Sequence, residues 1–195
     1  MALALCSATI SMVSTPLTYI NGPEVAKTLP GVTAPFGFFD PMGLTPDTQE
    51  ELMLYREAEL AHGRVAMMAT VGFLTQEAFH PIFAAPQVDG PVIRQLDQVL
   101  EFPDGQSAAS VLLLAIFISE IGRAQVGWMN PSDAIRTLRP GYVPGDVGFD
   151  PMGLKPKDEA GLKEMQTKEI NNGRLAMLAV AGMTVQELVT GTTLF

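Results

Sequence analysis

The hexapeptide Phe39-Asp40-Pro41-Met42-Gly43-Leu44 occurs a second time, unchanged, as Phe149-Asp150-Pro151-Met152-Gly153-Leu154. The offset of 110 residues (149 against 39) persists downstream. Glu59-Leu60-Ala61-His62-Gly63-Arg64-Val65-Ala66-Met67 falls on Glu169-Ile170-Asn171-Asn172-Gly173-Arg174-Leu175-Ala176-Met177. The register continues through Ala69 and Ala179, Gly72 and Gly182, and Gln76-Glu77 and Gln186-Glu187. Ungapped self-similarity of this length implies two equivalent structural units. Two copies are too few for a solenoid and suit a pair of helices packed face to face about a pseudo-two-fold axis.

The chain has 195 residues, room for one domain. It is 47% hydrophobic and only 17% charged, lean in charge for a soluble domain. A net charge of −9 gives no electrostatic support for a nucleic-acid partner. Cys6 is the only cysteine, so neither an internal disulfide nor a cysteine metal cluster is available. The first twenty residues contain no Lys, Arg, Asp or Glu. Residues 1–35 therefore lack the basic character of a transit or secretory signal and read as an N-terminal arm.

Three long helices are predicted. The first spans about 47–79, stopped by His80-Pro81; the second spans about 107–127, opening at Ser107; the third spans about 157–190, closing at Gly191. Pro91 to Glu101 spaces Val92, Ile93, Leu96, Val99 and Leu100 as a short amphipathic interfacial helix. No long segment has an uncharged run of about 20 residues, the usual requirement for a membrane span, and by length alone all three suit a soluble bundle. The charges alter that reading. Glu59 can reach Arg174 and Glu169 can reach Arg64 if the repeats cross symmetrically, and Glu120 can pair with Arg123 within the middle helix. With those charges neutralised, all three segments are long enough to span. Arg136, Arg139, Lys155, Lys157, Lys163 and Lys168 lie between the second and third apolar runs, which puts that loop and the N-terminus on the cytoplasmic or stromal side. The expected fold is an all-α membrane protein with three transmembrane helices, the first and third crossed.

Gly63, Ala66, Ala69 and Gly72, mirrored by Gly173, Ala176, Ala179 and Gly182, let helix backbones approach and leave grooves for a rod-shaped ligand. His62 and Asn172 are repeat equivalents, and Gln76 and Gln186 follow them by fourteen residues. That is about 21 Å along a helix on the same face. A lone helical histidine is more often a hydrogen-bonded core residue than a ligand. Dispersed single donors suit magnesium already held by a macrocycle, which accepts one axial oxygen or nitrogen. A bare catalytic metal would need three or four donors at one point.

Residues 36–190, with both copies of the Glu-x-x-[His/Asn]-Gly-Arg motif, resemble the light-harvesting chlorophyll-binding protein superfamily. The resemblance implies that Glu59, His62, Glu169, Asn172 and Gln186 are axial ligands of chlorophyll magnesium, with Arg64 and Arg174 as ion-pair partners. It implies Glu120, followed by Arg123, as the middle-helix ligand. Gln76 joins the set through the internal repeat and by likeness to red-lineage members. His80 is either an extra ligand or a helix stop. The duplicated loops, with Asp40, Pro41, Asp150 and Pro151, are similar to those that hold the head groups of two crossed carotenoids; alone, each is an ordinary Pro-Gly turn. Leu112 stands where green-plant members carry a glutamine ligand, which points to the fucoxanthin chlorophyll a/c or red-algal type.

These resemblances imply a pigment domain at 36–195, with repeat halves at about 39–79 and 149–189. Its cofactors would be chlorophyll a, chlorophyll c, xanthophylls of fucoxanthin or diadinoxanthin type, and lipid. They imply a multi-pass thylakoid protein of the plastid with a stromal N-terminus, beside neighbouring antenna subunits and a photosystem core, photosystem I favoured. The expected role is non-enzymatic light harvesting. Two rivals are a photoprotective member that releases excitation as heat, with Glu77 and Glu187 among its lumenal acids, and a helical metalloenzyme using Glu59, His62, Glu169 and Asn172.

Overall fold

The computed structural model describes residues 22–78, 90–132 and 136–194; His80 lies outside them. The described residues form five helices and no strand: α1 (Gly22–Thr28), α2 (Gln49–Ala78), α3 (Val92–Leu100), α4 (Pro103–Gly127) and α5 (Glu159–Thr190). The fold is all-helical, as the sequence predicts.

The repeats begin their helices at equivalent residues. Thr48 and Asp158, one offset apart, are the capping side chains: Thr48 Oγ1 accepts from the Glu51 N–H at 3.4 Å, and Asp158 Oδ2 accepts from the Gly161 N–H at 3.1 Å. Each oxygen satisfies one of the orphan amides of a first helical turn. At the far end of α5 Gly191 adopts φ 67° and returns its N–H to the Glu187 carbonyl. Only a residue tolerant of positive φ closes a helix in this way.

Two boundaries differ from expectation. α4 begins at Pro103 rather than Ser107, because proline at the first helical position has no N–H to lose and its φ is already helical. The Pro103-Asp104-Gly105 run that reads as a turn is the first turn of the helix. α1, which the sequence reading did not place, lies within the N-terminal arm, its Gly22 N–H bonded to the Asp47 carbonyl and its Ala26 buried.

α2 and α5 cross at their glycines. A Cβ on Gly63 would lie 3.1 Å from Gly173 Cα, and one on Gly173 would lie 3.0 Å from Gly63 Cα. Ala66 and Ala176, one turn on, are buried, whereas Gly72 and Gly182 have nothing within 4 Å. The stripe of small residues therefore makes close contact at the crossing and leaves open space at Gly72 and Gly182, where the helices splay apart. α3 packs across their far ends with Gln95 and Val99 buried.

The core is thin: Leu52, Leu60, Ala66, Val99, Ile170 and Ala176 are its main buried apolar side chains. α4 stands apart, with no Cα within 8 Å of any Cα of α2 or α5. Helices in direct contact have axes 8–10 Å apart, so protein alone does not fill that gap. Its mean hydropathy reaches 1.6 while none of the apolar stretch is buried. Val111 through Leu114 and Ile116 through Ile118 are all about half exposed or more. Full burial of such a side chain is worth about 1.5–3 kcal/mol, and each of these forgoes about half of that or more by remaining in water. That cost vanishes only where hydrocarbon or an apolar ligand covers the surface. α4 is the one described helix long and apolar enough by composition to cross a membrane.

Candidate functional site

The crossing of α2 over α5 exchanges charges between the repeats. Arg174 Nε donates to Glu59 Oε1 at 2.7 Å, and Arg64 Nε donates to Glu169 Oε1 at 2.8 Å. Both swapped pairs form as the repeat predicts. Each arginine also anchors a loop: Arg174 Nη1 donates to the Gly31 carbonyl at 2.8 Å and Arg64 Nη2 to the Gly145 carbonyl at 2.9 Å.

Those loops extend the pseudo-symmetry beyond the hexapeptides. Gly31 (φ 97°) sits against Ile170 and Arg174; Gly145 (φ 83°) sits against Leu60 and Arg64, and Leu60 and Ile170 are repeat equivalents. A side chain at either glycine would meet both a left-handed backbone and an occupied space. Sequence reasoning missed both loops. The available signal was the Pro30-Gly31 and Pro144-Gly145 dipeptides preceding the two hexapeptides. Four extra residues in the first copy shift them out of the 110-residue register.

The two carboxylates differ in what remains unspent. Glu59 Oε2 also accepts from Arg56 Nη1 at 3.0 Å, and Arg56 further donates to the Pro30 carbonyl. Both Glu59 oxygens are thus engaged, leaving only their second lone pairs. Glu169 keeps Oε2 without a partner among the described residues. Arg56, whose repeat counterpart is the neutral Gln166, was not foreseen.

The neutral donors stand outside the core. His62 is exposed, with Nδ1 2.7 Å from the Ala58 carbonyl. That bond fixes Nδ1 as the protonated nitrogen and turns Nε2 outward as an acceptor. The core-histidine reading fails, since position 62 is exposed while its neighbour Gly63 is buried at the crossing. Gln76, Asn172 and Gln186 are likewise exposed, and their side-chain amides make no hydrogen bond among the described residues. On α4, Glu120 Oε2 accepts from Arg123 Nε at 3.1 Å and Nη2 at 2.5 Å. This is the intrahelical pair expected from the sequence, and it leaves Oε1 open.

The two hexapeptides fold into matching loops. Asp40 accepts from the Leu44 and Thr45 amides at 3.0 and 2.9 Å, and Asp150 accepts from the Leu154 and Lys155 amides, both at 2.9 Å. Gly43 and Gly153 reverse the chain at φ 64° and 63°. These bonds hold both carboxyls below the usual aspartate range: for Asp40 the Thr45 hydroxyl is the largest cause, and for Asp150 the Lys155 amide. Both aspartates are therefore committed to their own loops. Phe39, Met42 and Leu44 and their counterparts Phe149, Met152 and Leu154 project uncovered, all at least 68% exposed.

A cavity of about 550 Å³ lies between Phe39, Thr45, Arg56 and the Glu59–Arg174 pair, and a second of about 510 Å³ lies between Leu154, Lys155, Met165 and the Glu169–Arg64 pair. Each joins one crossed pair to one hexapeptide loop. Among the described residues no three His, Cys, Asp or Glu side chains converge on a metal-sized point, so the donors of the metalloenzyme reading stay apart. Single oxygen or imidazole acceptors, each beside uncovered apolar surface, do fit a magnesium macrocycle that brings its own four nitrogens.

Residues 25–188 match the family model for chlorophyll A-B binding protein. The chain belongs to that family. The light-harvesting complex stress-related protein 1 of Chlamydomonas reinhardtii is 47% identical over 177 residues, covering 87% of this chain and 68% of the relative. A fucoxanthin-chlorophyll a-c binding protein of Isochrysis galbana is 44% identical over 87% of this chain and 81% of its own length. Chlorophyll a-b binding protein 7 of Solanum lycopersicum is 36% identical over 92% of this chain and 64% of the relative. This family member thus has likenesses to the stress-related and chlorophyll a-c types as well as to the green-plant type. Its internal duplication and crossed Glu–Arg pairs are the features on which the sequence resemblance rested.

Proposed function

We propose that this chlorophyll-binding family member is a light-harvesting antenna subunit of the plastid thylakoid. One domain, residues 36–195, would carry three membrane-spanning helices (α2, α4 and α5), with α3 at the interface and the N-terminus stromal. The observation that carries the reading is the set of unspent single acceptors beside uncovered apolar helix faces. Glu59, His62, Gln76, Glu120, Glu169, Asn172 and Gln186 would each hold one chlorophyll magnesium; His80, outside the described residues, would be either a further ligand or a helix stop. The duplicated loops at Asp40-Pro41 and Asp150-Pro151 would seat xanthophyll ends against Phe39, Met42, Phe149 and Met152. The likeness to chlorophyll a-c binding proteins supports chlorophyll a with chlorophyll c, and xanthophylls of fucoxanthin or diadinoxanthin type. Lipid would cover the rest. A photosystem core, photosystem I favoured, and neighbouring antenna subunits would receive the excitation.

Bound chlorophylls and xanthophylls supply absorption and excitation transfer. The chain sets where they sit. Rigid helices fix spacing along the membrane normal, the crossed arginines neutralise ligand carboxylates without occupying every lone pair, and the His62–Ala58 bond orients the imidazole. No step needs a bond to break.

An absorption spectrum of the gently solubilised native protein, followed by pigment extraction, tests this reading. Several chlorophylls and xanthophylls per chain are expected. A stably folded, colourless protein would overturn it.

A second reading, dissipation of excitation as heat, is favoured by the likeness to the stress-related proteins and by Glu187. That carboxylate is 1% exposed; Oε2 accepts from the Ile93 N–H that opens α3, and Oε1 has no hydrogen-bond partner among the described residues. Its repeat equivalent Glu77 accepts from the Leu194 N–H. A chlorophyll fluorescence yield that falls steeply on mild acidification, and stays flat in Glu187→Gln, distinguishes dissipation from harvesting.

A further inference from the structure

The crossed pair of helices offers α4 two symmetry-related seats, yet α4 occupies one. The repeats differ at one decisive position. Glu57 on α2 corresponds to Thr167 on α5 (167 against 57), and the Thr167 hydroxyl is spent on the Lys163 carbonyl at 2.8 Å. Glu57 is 2% exposed and fully partnered. Oε1 accepts from Arg123 Nη1 of α4 at 3.0 Å; Oε2 accepts from the Tyr142 hydroxyl at 3.2 Å and the Gly145 N–H at 2.6 Å.

Arg123 is shared. Its Nη1 goes to Glu57 while Nε and Nη2 both go to a single oxygen of Glu120. Glu57 fixes the guanidinium by its Nη1, and in that orientation both remaining donors meet Glu120 Oε2, leaving Oε1 free. The same contact is the polar tether between α4 and α2 along a boundary where no backbone approaches closely. Tyr142 completes the seat, its ring packed on Gly127 at the end of α4, where a Cβ would lie 2.8 Å from Tyr142 Cζ. Burial, and then the Glu57 charge, push the Tyr142 phenol up and keep it a donor. A buried ion pair contributes little net stability, and its best-attested use is to fix a register; the corresponding use here is the choice of one seat from two.

We propose that Glu57 is the positioning residue for the chlorophyll carried by α4: it selects the α4 seat and, through Arg123, presents Glu120 Oε1 to the magnesium. This rests on the reading of Glu120 as a ligand. A fully satisfied network of this kind rigidifies what it joins.

The full chain refolded with chlorophylls and xanthophylls decides it, through pigment stoichiometry and low-temperature difference absorption. Glu120→Ala is expected to lose a single chlorophyll and one red absorption component. Glu57→Gln, which keeps shape but removes the charge, is expected to lose or shift that same component and retain the others. If Glu120→Ala loses its chlorophyll and Glu57→Gln is unchanged, or loses all pigments in proportion, positioning by Glu57 is overturned. If Glu120→Ala keeps every chlorophyll, the ligand reading is what fails, and the proposal falls with it. Should Glu57→Gln give no loaded protein, Tyr142→Phe decides: a shift confined to the Glu120 component supports the proposal, and an unaltered spectrum overturns it.

Discussion

Arg64→Leu is expected to damage the pigment-loaded protein more than Arg174→Leu, although the repeat makes the two arginines equivalent. Once lipid and pigment enclose the pair, as proposed above, removing one partner leaves an uncompensated charge and costs about 3–5 kcal/mol. Glu169 has Arg64 as its one cationic partner among the described residues, so it is left bare. Glu59 loses Arg174 but keeps Arg56 at 3.0 Å, and the loss is cushioned. Adding Glu169→Gln to Arg64→Leu should recover most of the stability, because the pair becomes neutral while an amide oxygen remains as a ligand. Thermal melting followed by visible circular dichroism of the loaded protein measures all three. Equal losses for the two arginines, or no recovery in the double variant, would show that charge compensation is not what holds the crossing.

Leucine at Gly63 should prevent the crossing outright. The neighbour facing its Cβ is the Gly173 backbone at 3.1 Å, which cannot turn aside as a flexible side chain would. Overpacking of this kind costs about 1–3 kcal/mol for a few added methylenes, and four added carbons between two backbones belong at the upper end or beyond. Alanine is the informative intermediate. Gly63→Ala gains about 1 kcal/mol of helix propensity, which offsets much of the strain of a contact only a few tenths of an ångström too short. Gly72→Ala, with nothing within 4 Å, should be tolerated. Yields of refolded complex and its melting temperature separate the three. A loaded Gly63→Leu protein as stable as the parent would contradict the crossing geometry.

The parts legible in the sequence were chiefly those the duplication copied without gaps. The Glu59–Arg174 and Glu169–Arg64 exchange and the hexapeptide loops follow from residues in one register; the Glu120–Arg123 pair was legible instead from its three-residue helical spacing, and the αL glycine after α5 from its place behind the last helical residue. The parts that escaped break the duplication. Arg56 and Glu57 face Gln166 and Thr167, so symmetry gave no hint of them. The Pro-Gly loops sit four residues out of step. The start of α4 was misread because Pro, Asp and Gly mark both a turn and a first helical turn, and only the following backbone distinguishes them. His62 escaped the core because its neighbour Gly63 takes the face that meets α5, leaving position 62 exposed; which face meets the partner helix is a tertiary fact that a lone segment of sequence does not encode.

Antenna function requires more than pigment. The most direct measurement is a fluorescence excitation spectrum of the purified native protein, detected at the chlorophyll emission. The xanthophyll band is expected to appear in excitation with much of its absorbed intensity, as the proposed seating of each xanthophyll against the chlorophylls requires. Chlorophyll emission that ignores light absorbed by the xanthophylls would contradict it.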